Sequence, residues 1–202
     1  MTPEAFAERF DVPRETLERL KTYATLLAKW NPAINLVSRT TLADAWLRHF
    51  ADSAQLMPLV PPGTRTLVDL GSGAGFPGLV LAILGVPDVH LVESDVRKSA
   101  FLREVARATG APATVHAVRI EQAPAIAADV VSARALASLD ELLPMAERFL
   151  KPGGVCLFPK GRSAADELTL AGQSWRMRVE QFPSATDPAA TLLRLGEISR
   201  DR

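Results

Sequence analysis

The sequence predicts an α/β fold: a doubly wound, seven-stranded, mostly parallel sheet, with a helical subdomain at the N-terminus. Three observations lead to this prediction. After Gly63, short apolar segments alternate with helical patterns, an order typical of parallel strands joined by right-handed helical crossovers. The first apolar segment runs into a glycine-rich turn that opens a helix. The last two apolar segments flank a proline-containing turn, which favours an antiparallel hairpin at one sheet edge.

Residues 1–60 are expected to form the helical subdomain and residues 61–202 the sheet domain. Apolar residues recur every three or four positions over residues 13–30, which predicts a helix lying on a core. A second helical pattern begins near Thr41. It carries three large side chains on one face: Leu42, Trp46 and Phe50. Because this segment is too short and too sparsely apolar to fold alone, we expect it to pack on the sheet domain.

The sheet domain contains five apolar segments that are predicted to be its parallel strands. They end at Leu70, Ser94, Val118, Ala133 and Pro159. Helical patterns cover residues 77–84, 97–109, 139–150 and about 163–172. The segments MRVEQF and TLLRLGEI, joined by PSATDP, are predicted to be the terminal hairpin. No chemical motif stands out after residue 165.

The composition excludes several classes of protein. Lys and Arg number 23, and Asp and Glu also number 23, so the chain is not a polycation and any nucleic-acid binding must come from a local patch. Cys156 is the single cysteine, so neither an internal disulfide nor a cysteine-based metal site is expected, and a reducing, cytoplasmic setting fits. No apolar run approaches the roughly 20 residues of a membrane span, so neither membrane insertion nor export is expected.

The segment VDLGSGAGFPG places four glycines in the turn after the first strand, where the main chain can approach a ligand closely: Gly71, Gly73, Gly75 and Gly78. The last three fit a GxGxxG spacing that dinucleotide-binding enzymes also carry. Asp69 favours another cofactor, because a fixed anion here repels a pyrophosphate and attracts an ammonium group. S-Adenosylmethionine, with an ammonium and a sulfonium, therefore suits the loop better than NAD. The alternative for Asp69 is a helix cap or a loop-closing hydrogen bond.

Glu93 ends the second strand, about 20 residues after the glycines, where an acid can accept hydrogen bonds from both hydroxyls of a ribose. Its alternative is a solvated carboxylate at a strand end. No GxxxxGK[ST] segment occurs, so nucleotide hydrolysis has no support.

If the cofactor is S-adenosylmethionine, the protein transfers its methyl group to an acceptor atom. The residues in and after the later strands narrow the choice of that atom. Methylation at pyrimidine C5 usually needs a cysteine, but Cys156 lies inside a predicted buried strand. Exocyclic base amines commonly require an Asn/Asp-Pro-Pro-Tyr/Phe segment after the fourth strand, where this chain has SARA. Acceptors with a ready lone pair, such as guanine N7, remain. Arg134 in that segment is expected to hold the cofactor carboxylate or the guanine edge; its alternative is a surface salt bridge.

Four other residues are expected near the same edge of the sheet. Arg119 ends the third strand, and the next two residues, Ile120 and Glu121, are expected to line the adenine with an apolar face and main-chain hydrogen bonds. Glu121 has the alternatives of beginning a helix or pairing with Arg119. Lys160 lies just beyond the fifth strand, on the carboxyl edge where active sites of this fold form.

Together these segments resemble the bacterial RsmG family, also called GidB. The resemblance covers residues from about 20 to 165 and rests on NPAINLVS, RHFADS, DLGSGAGFPG, RKSAFL, VRIEQ, SARALASL and FPKG, in that order. It implies a class I, Rossmann-like methyltransferase that transfers a methyl group from S-adenosylmethionine to N7 of a guanine in 16S ribosomal RNA of the small ribosomal subunit. A monomer is expected.

The resemblance also implies roles for individual residues. The family's cofactor contacts match Gly71, Phe76, Ile120, Glu121 and Arg134, with Glu93 on the ribose. Its polar residues on the substrate side match Asn35, His49, Asp52, Arg119 and Lys160. Of these, His49 and Asp52 are interpreted as a polar pair that holds the helical subdomain against the site. Asp95, two positions after Glu93, competes with it as the ribose ligand.

Contact with RNA phosphates is expected from a basic patch on the cofactor edge of the sheet. We include in it Lys29, Arg39, Arg48, Lys160 and Arg162. Two other functions stay open: a nicotinamide-dependent oxidoreductase, opposed by Asp69, and a cofactor-binding ribosomal scaffold without catalysis, opposed by Arg134 and Lys160.

Overall fold

A computed structural model describes residues 1–201. The strands are β1 (Thr66–Leu70), β2 (Asp88–Val92), β3 (Ala113–His116), β4 (Ala128–Ala133), β5 (Leu150–Lys160), β6 (Trp175–Pro183) and β7 (Thr191–Arg200). The helices are α1 (Pro3–Phe10), α2 (Arg14–Ile34), α3 (Arg39–Ala43), α4 (Asp52–Ala54), α5 (Gly78–Leu84), α6 (Val96–Thr109), α7 (Leu139–Glu147) and α8 (Ala164–Ala171). A π-helix (Trp46–Ala51) and two 3-10 turns (Met57–Leu59 and Ile120–Gln122) complete the elements.

The seven strands form one sheet in the order β3-β2-β1-β4-β5-β7-β6. Strands β1 to β5 are parallel, and β7 lies antiparallel between β5 and β6. The predicted fold class is therefore confirmed, including the terminal hairpin. The strand order reverses between β1 and β4, and in open α/β sheets a crevice forms at such a point, beyond the carboxyl ends of the strands.

The N-terminal helices differ from the periodic patterns. Helix α1 was not predicted; the hydroxyl of Thr2 caps it by accepting from the N–H of Ala5. The single helix expected from Thr41 is instead divided into α3, the π-helix and α4. Ser38 caps α3 in the same way, and Asp44 leaves the helical region at φ −120°. The wider turn of the π-helix then carries His49, which is buried, and such turns often lie at functional sites.

Strand β5 begins earlier than its apolar run. Leu150, expected to end a helix, instead pairs with Ala128 of β4, and α7 ends at Glu147. A register shift between Ala128 and Val130 takes up the extra residues around Gly153, whose φ is +80°. The glycine permits this left-handed turn, so the strand continues through a segment that reads as a break.

One hydrophobic core joins the N-terminal helices to one face of the sheet. Tyr23 of α2 is fully buried, and its ring stacks on Phe76 at 5.1 Å and meets Phe50 edge-on at 5.1 Å. Phe101 of α6 packs against the same ring. Each such buried side chain contributes about 1.5–3 kcal/mol. Residues on both sides of position 60 share this core. The division into a helical subdomain, residues 1–60, and a sheet domain, residues 61–202, therefore stays a proposal.

The opposite face of the sheet packs on α7 and α8. Its core includes Val131 of β4, Leu142 of α7 and Phe158 of β5. The sheet is thus buried on both faces, as its nearly continuous apolar strands require. Among residues 1–201, no helix combines the length and apolarity needed to cross a membrane.

Candidate active site

A cavity of about 890 Å³ lies at the carboxyl edge of the sheet, beside the point where the strand order reverses. Its volume is in the range of ligand and cofactor pockets. Segments from both halves of the chain line it, within residues 36–41, 48–52, 71–76, 92–98, 118–121, 134–137, 159–167 and 186–190. The cavity therefore has a floor made by the strand ends and walls made by the N-terminal helices and the terminal hairpin.

The glycine loop forms part of the floor. Gly71 and Gly73 line the cavity with φ of +62° and +56°, and the N–H of Ser72 donates to the carbonyl of Val92 at 3.1 Å. Gly75 differs, since it does not line the cavity and a Cβ there would lie 2.6 Å from the Tyr23 hydroxyl. The structure does not support the predicted contact between Gly75 and the cofactor, since the missing side chain of Gly75 makes room for the core instead.

Glu93 closes the loop against the end of β2. Its Oε2 accepts from the N–H of Gly73 at 2.8 Å, and its Oε1 accepts from the N–H of Asp95 at 2.8 Å. Each oxygen keeps a second lone pair, and the side chain lines the cavity, so Glu93 can receive two ribose hydroxyls. Asp95 caps α6 by accepting from the N–H groups of Arg97 and Lys98, which hold the pKa of its carboxyl below the usual value. Of the two acids, Glu93 is the ribose candidate.

Asp69 is buried beneath the glycine loop and does not line the cavity. Its Oδ1 accepts from the hydroxyl of Ser132 at 2.6 Å, and burial raises the pKa of the carboxyl to about 6. A direct contact between Asp69 and a cofactor ammonium is therefore not what this geometry provides. The loop-closing alternative is the one observed, with Asp69 joining the ends of β1 and β4.

Arg134 lines the cavity and is held in place by four groups. Its Nη1 donates to Asp52 Oδ2 at 3.1 Å and to the carbonyl of Arg48 at 3.2 Å, and its Nη2 donates to His49 Nδ1 at 3.1 Å. The guanidinium also lies over the ring of Phe76, 5.2 Å from its centroid. Three of the five guanidinium N–H groups are thereby used. The Nε–H and one hydrogen of Nη2 have no partner in the described chain, so Arg134 remains able to bind an anionic or carbonyl group.

His49 is a hydrogen-bond acceptor in this arrangement. Its ring stacks on Phe76 at 5.0 Å, and burial, aided by the charges of Arg134 and Arg48, lowers its pKa to about 3. Because Arg134 donates to Nδ1, the proton of the neutral ring lies on Nε2, which is buried without a partner in residues 1–201. His49 and Asp52 do not bond each other; both bind Arg134. His49 and Asp52 were expected to form a polar pair that holds the helical subdomain against the site. They do connect the N-terminal helices to the site, but each does so through Arg134.

Lys160 is buried and paired. Its Nζ donates to the carbonyl of Ala137 at 2.7 Å and lies 2.8 Å from Glu167 Oε2. Burial raises the pKa of Glu167, but hydrogen bonds from Lys160 and Ser163 outweigh that effect and the pKa is lowered. Lys160 thus fixes the loop after Arg134. Its inclusion in a patch that contacts RNA phosphates is not supported by the structure, because Lys160 is buried and paired with Glu167.

Asn35 lies outside the cavity. It is exposed and ends α2 in the left-handed conformation, with φ +50°. The expectation that it acts near the substrate is therefore not supported. Asn31, one turn earlier, is the buried residue: its side chain both donates to and accepts from the main chain of Val37, which lines the cavity. The sequence feature that could have indicated this role is the position of the Asn31 amide, one helical turn before the loop that follows α2.

Arg119, Ile120 and Glu121 line one end of the cavity. Ile120 begins a 3-10 turn, and its carbonyl accepts from Arg148 at 2.9 Å. Arg119 and Glu121 are exposed at the rim. Their positions are compatible with an adenine slot, which remains a proposal.

The cavity carries balanced charge. Five cationic and five acidic residues line it: Arg48, Lys98, Arg119, Arg134 and Lys160, with Asp52, Glu93, Glu121, Glu167 and Asp187. Lys98 was not predicted. Of the expected basic patch, Arg39 and Arg162 are exposed one residue beyond lining residues, and Lys29 lies near Glu104 on α6. Within residues 1–201, no cluster of three or more His, Cys, Asp or Glu side chains could hold a metal ion.

The fold is shared with solved methyltransferases. A ribosomal protein L11 methylase from Lactobacillus delbrueckii subsp. bulgaricus superposes with a TM-score of 0.60 at 17% identity, covering 80% of each chain. The N-methyltransferase NodS from Bradyrhizobium japonicum, solved with S-adenosyl-L-homocysteine, has a TM-score of 0.56 at 15% identity, covering 88% of this chain and 97% of that one. These likenesses show that the chain has the fold of the class I methyltransferases. The residues at the site fit S-adenosylmethionine, since Glu93 offers acceptors for the ribose and two N–H groups of Arg134 have no partner among residues 1–201.

The particular family is given by the sequence comparisons. The GidB family, described as rRNA small subunit methyltransferase G, matches residues 16–192. A ribosomal RNA small subunit methyltransferase G from Rhodospirillum centenum is 74% identical over 194 residues, covering 96% of this chain and 90% of that protein. The chain belongs to the GidB family. The suspected resemblance is thereby confirmed, and the nicotinamide-dependent oxidoreductase is excluded.

Proposed function

We propose that this chain transfers the methyl group of S-adenosylmethionine to N7 of a guanine in 16S ribosomal RNA. Membership of the GidB family supports the cofactor and the RNA. The observation that carries the choice of N7 is the state of His49, which accepts from Arg134 and has its pKa lowered to about 3. His49 therefore accepts no proton near neutral pH. This suits guanine N7 as the methyl acceptor, because N7 has no proton to lose before it attacks.

The cofactor is assigned to the floor of the cavity. Glu93 receives the ribose hydroxyls, and the main chain of Gly71 and Gly73 allows the amino-acid part to approach. Ile120 supplies an apolar contact for the adenine, with hydrogen bonds from the main chain near Glu121. The bound cofactor supplies an activated methyl group, so the chain has chiefly to align the two reactants.

The other acidic side chains near Arg134 are poor general bases. Asp52 pairs with Arg134, and Glu167 pairs with Lys160 at 2.8 Å. The single thiol, Cys156, is buried with its pKa raised above the usual value. Guanine N7, which attacks with its own lone pair, requires none of these groups. Arg134 is the residue assigned to align the guanine edge or the cofactor carboxylate.

RNA binding is assigned to exposed arginines at the rim. Arg48 and Arg119 line the mouth, and Arg39 and Arg162 lie one residue beyond lining positions. We expect the chain to act as a monomer on the small subunit, in the cytoplasm.

The deciding experiment uses labelled S-adenosylmethionine with small subunits, or free 16S RNA, isolated from cells that lack this chain. We expect one labelled guanine whose glycosidic bond becomes labile to borohydride and aniline, the behaviour of N7-methylguanine. Label on another base or atom contradicts the assignment of N7. Cofactor binding without any methyl transfer to either RNA supports the scaffold alternative.

The mechanism is tested by the pH dependence of single-turnover methylation at saturating RNA and cofactor. We expect little change between about pH 6.5 and 8.5, because a histidine base of ordinary pKa titrates near 6.5 and His49 does not. His49→Ala is expected to retain substantial activity, whereas Arg134→Ala loses most. A tenfold rise per pH unit below neutrality that His49→Ala abolishes, with binding and fold intact, makes His49 a base.

A further inference from the structure

The loop between β6 and β7, residues 184–190, is fastened to the N-terminal helices. The carbonyl of Ala185 accepts from Arg9 at 3.1 Å, and the N–H of Ala185 donates to Gln55 Oε1 at 2.8 Å. Gln55 Nε2 lies 3.2 Å from the hydroxyls of both Ser184 and Thr186. This loop belongs to the part of the chain where no chemical motif was found, yet it reaches the cavity.

Thr186 connects this loop to the residue that holds Arg134. Its Oγ1 donates to Asp52 Oδ1 at 2.7 Å, while Asp52 Oδ2 accepts from Arg134 at 3.1 Å. A carboxylate has only acceptors, so the hydroxyl proton of Thr186 points toward Asp52. Gln55 Nε2 also donates to Oδ1, at 3.0 Å. The carboxylate is therefore fixed on one oxygen by the loop and α4, and it offers the other to Arg134.

We propose that Thr186 is a positioning residue, which acts through Asp52 to set the orientation of the Arg134 guanidinium toward its ligand. Without the Thr186 hydroxyl, Oδ1 keeps one donor, Gln55 Nε2, instead of two, and the orientation of the carboxylate is less firmly fixed. The Arg134–Asp52 pair is mostly shielded from water, with 18% of each side chain exposed, so a change in its geometry is little compensated by solvent. The loop of the terminal hairpin thereby takes part in the alignment of Arg134.

The proposal rests on the function assigned above to Arg134, and a double-mutant cycle separates the two. Thr186→Val keeps the branched shape and the main-chain bond from Thr186 to Ser184 Oγ, and removes only the hydroxyl. Thr25→Val is the matched control, because Thr25 is an exposed residue of α2 whose hydroxyl bonds the carbonyl of Lys21 in its own helix. Cofactor affinity by calorimetry and the single-turnover rate at saturating RNA and cofactor are measured for each variant.

Arg134→Ala is expected to weaken cofactor affinity, the single-turnover rate or both. We expect Thr186→Val to weaken the same quantity by about fivefold to tenfold, a loss in the range of one ordinary intramolecular hydrogen bond. Thr186→Ser should restore it, and Thr25→Val should change neither quantity. In the Arg134→Ala background, Thr186→Val should have no further effect, because the proposed route from Thr186 to the ligand runs through Arg134. Equal losses with and without Arg134 overturn the proposal. Failure of Arg134→Ala to change either quantity overturns the proposed function of Arg134 instead.

Discussion

At Glu93, one side chain both builds the glycine loop and faces the cavity. Its two oxygens accept from the N–H groups of Gly73 and Asp95, each at 2.8 Å. A carboxylate already oriented by two main-chain donors needs no further ordering when a ribose binds. Single residues of this kind are expected to affect affinity more than their exposure suggests.

We expect Glu93→Ala to weaken binding of S-adenosylmethionine by about 1.5–3 kcal/mol, the cost of charge-assisted hydrogen bonds. Glu93→Gln, which keeps the size of the side chain, should lose a smaller part. Calorimetry measures both. Asp95→Asn is the control, since an asparagine still caps α6 and position 95 does not line the cavity. Unchanged affinity in Glu93→Gln and Glu93→Ala contradicts the ribose assignment.

Two buried groups at the site titrate with opposite effects on stability. The folded pKa of His49 is about 3 against 6.5 when unfolded, so the unfolded chain binds more protons between these values and stability falls as pH drops through them. The folded pKa of Asp69 is about 6 against 3.8, so its contribution is greatest below the lower value and is lost as pH rises to the upper one. Between about pH 4 and 6 the two effects nearly cancel.

If one of the two groups is removed, the free energy of unfolding should therefore show the pH dependence that the other group causes. Relative to the unmodified chain, Asp69→Asn should lose about 1.4 kcal/mol more for each pH unit as pH falls from 6 to 4, and His49→Gln should show the reverse. The measurement is the free energy of unfolding by denaturant at several pH values. Identical slopes in the three proteins would mean that neither pKa is shifted by folding.

At the scale of elements, the strands were more predictable than the helices. The ends of β1 at Leu70 and β4 at Ala133 match the predictions, because a buried parallel strand is a nearly continuous run of apolar residues. The π-helix was not predictable, because the spacing of its apolar residues is also that of an ordinary α-helix. Only tertiary packing fixes the wider turn. Asn35 was misassigned for a related reason: the pattern locates a loop but does not show which amide near it faces inward.

The two kinds of glycine in the loop after β1 should separate in mutants. Gly71→Ala forces a left-handed residue, at about 1–2 kcal/mol, and its Cβ meets the end of the Leu136 side chain, which can move aside. Gly75→Ala carries the same conformational cost, and its Cβ also meets Leu79 and Tyr23, both fully buried. Overpacking should add about 1–3 kcal/mol.

We therefore expect a lower Tm for Gly75→Ala than for Gly71→Ala, measured by thermal unfolding without ligand. Relative to the stability that each variant loses, Gly71→Ala should lower cofactor affinity more than Gly75→Ala does. Of these two residues, only Gly71 lines the cavity. If both variants lose the same stability, the assignment of Gly75 to the core is contradicted.

At the scale of the whole molecule, charge is distributed without a net excess. The formal charge is zero, and the acids and bases that line the cavity are equal in number. The sequence could show that RNA affinity must be local, but not which cations are free. Lys160 illustrates the difference: its pairing with Glu167 depends on α8, about which the motif around Lys160 contains no information.

RNA binding should weaken steeply with salt, as expected when several cations contact phosphates. Arg119→Ala should reduce the slope of log affinity against log salt by about 1. Lys160→Ala should leave that slope unchanged, although it should lower stability by leaving Glu167 unpaired. Fluorescence titrations with a 16S RNA fragment at four salt concentrations measure the slopes. A reduced slope for Lys160→Ala, with none for Arg119→Ala, would reverse the assignment.

The aromatic core that runs across residue 60 has a consequence for how the protein unfolds. Tyr23 and Phe50 pack on Phe76, and Phe76 in turn supports His49 and Arg134. The N-terminal helices therefore cannot open while the cavity stays intact, and amide protons there should exchange with solvent as slowly as those of the sheet. A cofactor at a hundred times its Kd should slow both sets together, by about 2.7 kcal/mol. For the same reason, the N-terminal helices transplanted onto another methyltransferase should not stay folded, because the partners of Tyr23 and Phe50 in this core would be missing.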